Sequence, residues 1–316
     1  MALDLVPTLD LATAEATPNA LGPLDLACRD HGFFMLKNHG IQREIDAMWT
    51  ASKDFFSQPR SEKRKIMRTQ DQPLGYYDRE LTKQQRDLKE VFDFMQPRTD
   101  PTDINQWPES HSFHTVMNAF FQACSAVAIR TQALVYSAIM NGQAVAGDLP
   151  AGDPRTSSVR LNHYPLSDPL TNSEQASTAA LGPVALGHHT DPGVLTLLMQ
   201  DAIGGLQAHS NQHGWIDIPP SADSIVVNLG DAMQVWSNDT YRAAIHRVTP
   251  MSDRARFSTP YFFNPKNDAI LEPLNPLSDH PPVYQSFKWR DYIKARMEDN
   301  YSDLGEDDIQ INRFRH

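Results

Sequence analysis

The chain reads as a mixed α/β fold with a mainly β core, a double-stranded β-helix (jelly roll) with flanking helices, and three observations predict it. From Ser157 onward, short β-branched and apolar runs are separated by turn residues, as expected when strands close around a cavity. One long helical stretch precedes them, from about Glu109 to Met140. Val116, Phe120, Val127, Leu134 and Ile139 give it a buried face, and Asn141-Gly142 ends it. Ahead of that helix the elements alternate. A short strand spans Val6 to Leu11, a helix Pro23 to His31, and a strand Phe33 to Leu36 that ends at Asn38-His39-Gly40. A helix then runs from Ile45 to Phe56, stopped before Pro59, and another begins over Arg60 to Met67.

The organisation that follows is an N-terminal mixed region over 1–110, a supporting helix and connection over 111–156, a β-helix core over 157–285, and a C-terminal helix and tail over 286–316. The helix is placed at Ser286 to Met297. Ser167 to Leu181 carries no period and reads as a surface loop, placed where it could cover a site or be a tolerated insertion.

Composition bounds the function. The chain has 316 residues, above the usual single-domain size of about 100–200, so it can bury a sizeable core. Its 28 basic and 39 acidic residues give a net charge of −11, which argues against nucleic acid or an anionic membrane as the main partner. No apolar run approaches the roughly 18 residues needed to span a bilayer, and the N-terminus lacks the layout of a signal peptide, so a cytoplasmic location is expected. Cys28 and Cys124 are too few for a disulfide framework or a structural zinc site, and they read as small buried hydrophobes.

The chemistry lies in His189-Thr190-Asp191, His246 and Arg256-Phe257-Ser258. Two imidazoles and a carboxylate can hold Fe(II) on one face and leave open positions for O2 and a co-substrate. Residues i and i+2 of a strand face the same side, so His189 and Asp191 would both point inward. The run Val194 to Met199, between Pro192-Gly193 and Gly204-Gly205, and the stretch Ala244 to Val248 both read as strands. Arg256 and Ser258 repeat the i, i+2 spacing. A guanidinium fork with a neighbouring hydroxyl suits the distal carboxylate of a 2-oxo acid.

In these residues the chain resembles the Fe(II)/2-oxoglutarate-dependent dioxygenases of the isopenicillin N synthase-like family. The resemblance extends over nearly the whole chain: Ala27 to Phe34, Asn38 to Ile41, Asp87-Leu88-Lys89-Glu90, Gly204-Gly205-Leu206-Gln207, Val227-Asn228-Leu229-Gly230-Asp231 and His246-Arg247-Val248 follow in the family's order. It implies iron on His189, Asp191 and His246, and 2-oxoglutarate on Arg256 and Ser258 with help from Tyr164 and Asn162 of the Asn-x-Tyr-Pro element. It suggests Phe92, Phe94, Phe262 and Asn264 as lining of the substrate pocket, with Arg160 at the cavity mouth, available to a carboxylate or phenolate. The implied activity is hydroxylation or desaturation of a small secondary metabolite, coupled to conversion of 2-oxoglutarate and O2 to succinate and CO2, with ascorbate as an optional reductant. Halogenating relatives replace the carboxylate ligand with a small residue, so Asp191 argues against that chemistry.

Other residues have plainer readings. His188, one position off, should point away from the metal; His31, His39, His163 and His209 read as hydrogen-bonded structural or surface residues, and Asp231 as a turn-stabilising carboxylate. The alternatives are an oxidase that uses no 2-oxo acid, of the isopenicillin N synthase or aminocyclopropane oxidase type, an ethylene-forming enzyme, a metal and 2-oxo acid sensor without turnover, and a zinc hydrolase on the same three ligands.

Overall fold

Strand alternation decides which side chains meet the helices and which meet the cavity. The computed structural model describes residues 5–17, 21–82, 85–143, 148–182, 185–249, 253–274, 277–278, 280–299 and 310–316. The N-terminal region contains β1 (Thr8–Asp10), α1 (Leu11–Ala16), α2 (Gly22–Asp30), β2 (Phe33–Lys37), α3 (Gln42–Ser57), α4 (Arg60–Lys63), β3 (Gly75–Tyr77), β4 (Leu81–Thr82), β5 (Gln85–Arg86) and β6 (Glu90–Met95). The long helix α5 (His111–Ile139) follows, its N-terminus capped by the Ser110 hydroxyl, which accepts from the Phe113 amide. Then come β7 (Ser158–Tyr164), α6 (Asn172–Gln175), β8 (Leu186–His189), β9 (Leu195–Gln200), β10 (Leu206–Ser210), β11 (Gly214–Asp217) and β12 (Ile225–Leu229). The chain continues through α7 (Asp231–Trp236), β13 (His246–Val248), β14 (Arg256–Phe263), β15 (Ile270–Leu271), β16 (Phe287–Lys288) and α8 (Trp289–Asp299).

Two sheets form the jelly roll. The major sheet has the order β1-β2-β12-β9-β14-β7-β6-β3, and the minor sheet β11-β10-β13-β8. The N-terminal region thus supplies four of the eight major strands, so it shares a sheet with the C-terminal half of the chain. One face of the major sheet carries Phe92, Phe94, Val159, Leu161, Leu195, Leu197, Tyr261 and Phe263, all fully buried in the core that includes α3 and α5. The Tyr261 and Ser125 hydroxyls, 2.8 Å apart, tie β14 to α5. The opposite face looks toward the minor sheet, where Phe33, Met35, Leu198, Val226, Leu206, Ala208 and Val248 fill one end with apolar side chains.

The expected order of elements holds, with local differences. The stretch after Pro59 is a single α turn continued as a 3-10 turn over Arg64–Ile66. Phe287 and Lys288 form a strand against β15, so the last helix begins only at Trp289. The loop read without a period contains α6, fixed by a capping box between Thr171 and Glu174. The short α7 was not expected.

Phe92 and Phe94 are a correction. They alternate onto the helix-covered face with Glu90, and there they pack against Phe55, Phe113, Trp107 and Phe121. The cavity face of β6 is formed by Val91 and Asp93, which pair with Asn162 and Arg160 of β7. Phe92→Ala is therefore expected to cost about 3–5 kcal/mol of stability in urea unfolding and to leave 2-oxoglutarate affinity unchanged.

Glu90 is buried beside that cluster. It accepts from Lys63 at 2.6 Å and from the Tyr76 hydroxyl at 2.5 Å, and the His163 ring lies 2.8 Å from its other oxygen. Burial raises the pKa of this carboxyl, but His163, Lys63 and Tyr76 outweigh that and hold it at about 2 against an ordinary 4.5. A depressed carboxyl contributes stability that is fully present above about 4.5 and is lost as the pH falls through about 2. The acid limb of the stability curve in that window should be about one proton shallower in Glu90→Gln; an equally steep limb would contradict the assignment.

Candidate metal and 2-oxo acid site

Three ligand-type side chains converge where the minor sheet meets the major one. Suitable atoms of His189, Asp191 and His246 all lie within 4.8 Å of one another. His189 ends β8 and pairs directly with His246 of β13, with ring centroids 4.3 Å apart. The strand stops at His189, so Asp191 reaches the site from the following turn and not from the strand expected to carry both residues. Nε2 of His189 and of His246 stand 3.8 and 3.9 Å from Asp191 Oδ1.

Backbone acceptors orient both imidazoles. Nδ1 of His189 lies 2.8 Å from the Gly187 carbonyl, and Nδ1 of His246 lies 2.9 Å from the Ala244 carbonyl. A carbonyl only accepts, so each Nδ1 carries a proton and turns its Nε2 toward the cluster. Burial, reinforced by the neighbouring His246 and opposed by Asp191, brings His189 down to about 3, so its ring is neutral at physiological pH. Burial disfavours the Asp191 carboxylate, but the two imidazoles, Thr196 and Asn228 outweigh it and keep its pKa below the ordinary value.

Asp191 is held by residues not anticipated from sequence. Its Oδ2 accepts from the Thr196 hydroxyl at 2.6 Å and from the Asn228 amide at 2.8 Å. Thr196 and Asn228 are cross-strand partners on β9 and β12. With Oδ2 engaged, Oδ1 is the oxygen left toward the histidines. The donor set of two imidazole nitrogens and one carboxylate oxygen fits a divalent first-row metal with open positions.

The turn behind the ligands is also fixed. The Asp231 amide donates to the Asp191 carbonyl at 2.8 Å, and the Ala232 amide donates to the Gly193 carbonyl at 3.0 Å. A Cβ on Gly230 would come within 2.3 Å of the Gly193 carbonyl oxygen, so only glycine permits this approach. Asp231 is not a turn carboxylate: it opens α7 and accepts from the Tyr292 hydroxyl at 2.6 Å and from Arg296. Arg296 in turn donates to the Thr190 carbonyl at 3.0 Å.

Arg256 lies on the cavity face of β14, 1% exposed. Its Nε donates to the Gly204 carbonyl at 2.8 Å and its Nη1 to the Ser258 hydroxyl at 3.0 Å. Gly204 and Gly205 both have positive φ, which lets that turn present its carbonyl. Tyr164 pairs with Arg256 across the strands, and its ring centroid lies 5.1 Å from the guanidinium carbon; Asn162 pairs with Ser258. Among the described residues, no carboxylate lies within ion-pair distance of Arg256.

The remaining candidates divide. Phe262 is half-buried on the same face as Arg256 and Ser258, between Thr196 and Ser158. Asn264 does not offer its amide to a ligand: Nδ2 donates to the Thr156 carbonyl at 3.0 Å, and its side chain packs against Gly193. Arg160 faces the cavity but is already paired with Asp93 and Glu80, which corrects the expectation that its charge is available to a substrate. His188 is exposed and outside the ligand cluster, while His31 and His39 accept from the backbone amides of Phe33 and Ile41.

The comparisons agree with this geometry. Residues 155–265 match the model of the 2OG-Fe(II) oxygenase superfamily, and residues 6–110 match that of the non-haem dioxygenase in morphine synthesis N-terminal region. The chain is 31% identical over 288 residues to gibberellin 2-beta-dioxygenase 4 of Arabidopsis thaliana, covering 88% of both chains. It is 29% identical to feruloyl CoA ortho-hydroxylase 2 of the same plant, covering 92% of this chain and 78% of the relative. A full-length Neurospora crassa protein, crystallised in complex with alpha-KG, superposes with a TM-score of 0.77 at 26% identity, over 94% of this chain and 96% of that one. With its jelly roll, its cluster of two histidines and an aspartate and these relatives, the chain belongs to the 2-oxoglutarate and Fe(II)-dependent oxygenases.

Proposed function

We propose that His189, Asp191 and His246 hold Fe(II), and that Arg256 and Ser258 bind the distal carboxylate of 2-oxoglutarate, with Tyr164 and Asn162 forming the adjoining wall. The single observation that carries this reading is the buried Arg256 guanidinium. Burying a charge is expensive unless it is paired, and this one, on the cavity face of β14, has only neutral partners among the described residues. A dicarboxylate reaching from the metal to Arg256 supplies the missing anion. A zinc hydrolase would have no use for such a clamp.

Iron and 2-oxoglutarate, together with O2, supply the oxidant that removes hydrogen from a substrate carbon, and 2-oxoglutarate leaves as succinate and CO2. The protein contributes placement. Thr196 and Asn228 keep Asp191 Oδ1 turned to the metal, the Gly187 and Ala244 carbonyls orient the imidazoles, and Tyr164 shields the guanidinium from water. The substrate stands against Phe262, Ser158 and the cavity faces of β6 and β7. Relatives act on small organic molecules, as the gibberellin and feruloyl CoA enzymes do, and the Neurospora crassa protein has also been crystallised with thymine. For this chain we infer hydroxylation or desaturation of a comparably small molecule in the cytoplasm. Among the described residues, no helix is long and apolar enough to cross a membrane.

Arg256→Ala should raise the 2-oxoglutarate concentration for half-maximal succinate release by roughly 30- to 160-fold, the loss of a charge-assisted contact of about 2–3 kcal/mol, with Fe(II) affinity retained. An unchanged dependence would favour the oxidase that uses no 2-oxo acid. Thr196→Val removes one of the two donors that hold Asp191 Oδ2, and its Fe(II) affinity, measured by chelator competition, should fall about 10- to 100-fold. A variant with wild-type affinity would remove the clamp from the account.

A further inference from the structure

Thr190, the residue between two of the ligands, is held by the C-terminal part of the chain. Arg296 of α8 donates from Nη2 to the Thr190 carbonyl at 3.0 Å, and the Thr190 hydroxyl donates to Gln310 Oε1 at 3.1 Å. Arg296 Nη1 donates to that same Gln310 oxygen at 3.3 Å, which joins the two contacts. The segment carrying Gln310 is itself anchored. It continues as a 3-10 turn over Ile311–Phe314, in which Ile311 is buried and the Phe314 ring stacks on Phe287 with centroids 3.8 Å apart. The Gln285 amide donates to the Phe314 carbonyl at 2.8 Å, and the His316 amide donates to the Val283 carbonyl at 3.1 Å. Thr190 and Gln310 both line a cavity of about 380 Å³ that also reaches His188 and His209, so the segment meets the ligand turn at an open boundary, through hydrogen bonds.

We propose that Gln310 and Arg296 are positioning residues for the metal, acting through Thr190, and that metal binding and docking of the 310–316 segment are thereby linked. His189 is fixed by its strand pairing with His246, whereas Asp191 lies beyond the strand end. Rotation of the Thr190 backbone is the motion that would carry Asp191 away from the two imidazoles, and the bonds to the Thr190 carbonyl and hydroxyl oppose it. Groups that orient metal ligands in this way contribute to affinity without touching the metal. Linkage is reciprocal, so the factor by which the docked segment raises metal affinity is the factor by which metal favours docking. The proposal rests on the reading of His189, Asp191 and His246 as Fe(II) ligands.

The test is a double-mutant cycle on Fe(II) affinity, read anaerobically by chelator competition in the full chain with Thr190→Val, Gln310→Ala and the pair. Each single variant should bind Fe(II) about 3- to 10-fold more weakly. The pair should bind no more weakly than Gln310→Ala alone, because both changes remove one contact. Amide hydrogen exchange adds a readout that needs no variant. Fe(II) should slow exchange of the wild-type Gln285 and His316 amides, which bond across the docked segment, by a similar factor of about 3 to 10, and Thr190→Val should lose most of that slowing. Single variants with wild-type Fe(II) affinity, or a pair whose loss is the product of the two, overturn the proposal. So does exchange at these amides that is indifferent to Fe(II), or slowing that persists in full in Thr190→Val. Wild type that takes up no Fe(II) contradicts the ligand assignment itself, and the proposal falls with it.

Discussion

The Asp191 carboxylate joins the two sheets at one point. Its Oδ1 faces His189 and His246 of the minor sheet, while its Oδ2 is gripped by Thr196 and Asn228 of the major sheet. Strand ends are adjustable, and two imidazoles on neighbouring short strands would not by themselves fix a metal relative to a cavity on another sheet. The hydrogen bonds to Oδ2 do so. They are short, charge-assisted and buried, the conditions under which such bonds contribute most to geometry. Behind them, Gly230 allows α7 to approach the turn, and Asp231, Tyr292 and Arg296 carry the restraint to the C-terminal helix.

Electrostatics sets Arg256 apart. It is buried among a carbonyl, hydroxyls and an aromatic ring, with its charge uncompensated among the described residues. Arg68, Lys89 and Arg160, by contrast, each have a carboxylate against them. A dicarboxylate co-substrate bound at Arg256 would supply the anion that its described partners, all neutral, do not. The loop over 167–181 adds to this packing. Glu174 accepts from Arg60, Arg64 and Arg79, and Asp168 from Arg86, which ties the loop to the N-terminal region.

Much of this was legible in the residues. His189 with Asp191 and Arg256 with Ser258 stand out because their chemistry is unusual and their spacing is local, His246 because the resemblance places it after them, and the long helix and first strands follow from periodicity and punctuation. What escaped depends on pairing between distant strands. Thr196 and Asn228 are single polar residues in buried apolar strands, a signal in itself, but Asn228 and Asp191 are 37 residues apart and only the β9–β12 register shows that both clamps meet one carboxylate. The resemblance suggests Phe92 and Phe94 as pocket lining, yet only their packing against Phe113 and Phe121 shows that α5 covers their face of β6. The same resemblance places Arg160 at the cavity mouth but carries no sign of its partners Asp93 and Glu80, which come from other segments. The strand through His189 and Asp191 ended early because the chain turns there to meet α7.

The central claim is that the three ligands and Arg256 act together on one chelating dicarboxylate. The most direct measurement is the visible absorption of metal-free protein on anaerobic addition of Fe(II) and then 2-oxoglutarate, made with wild type and Arg256→Ala at the same co-substrate concentration. A weak charge-transfer band in wild type that is absent from the variant is the result expected. Iron binding with no band in wild type, or a band of equal strength in Arg256→Ala, would contradict the claim.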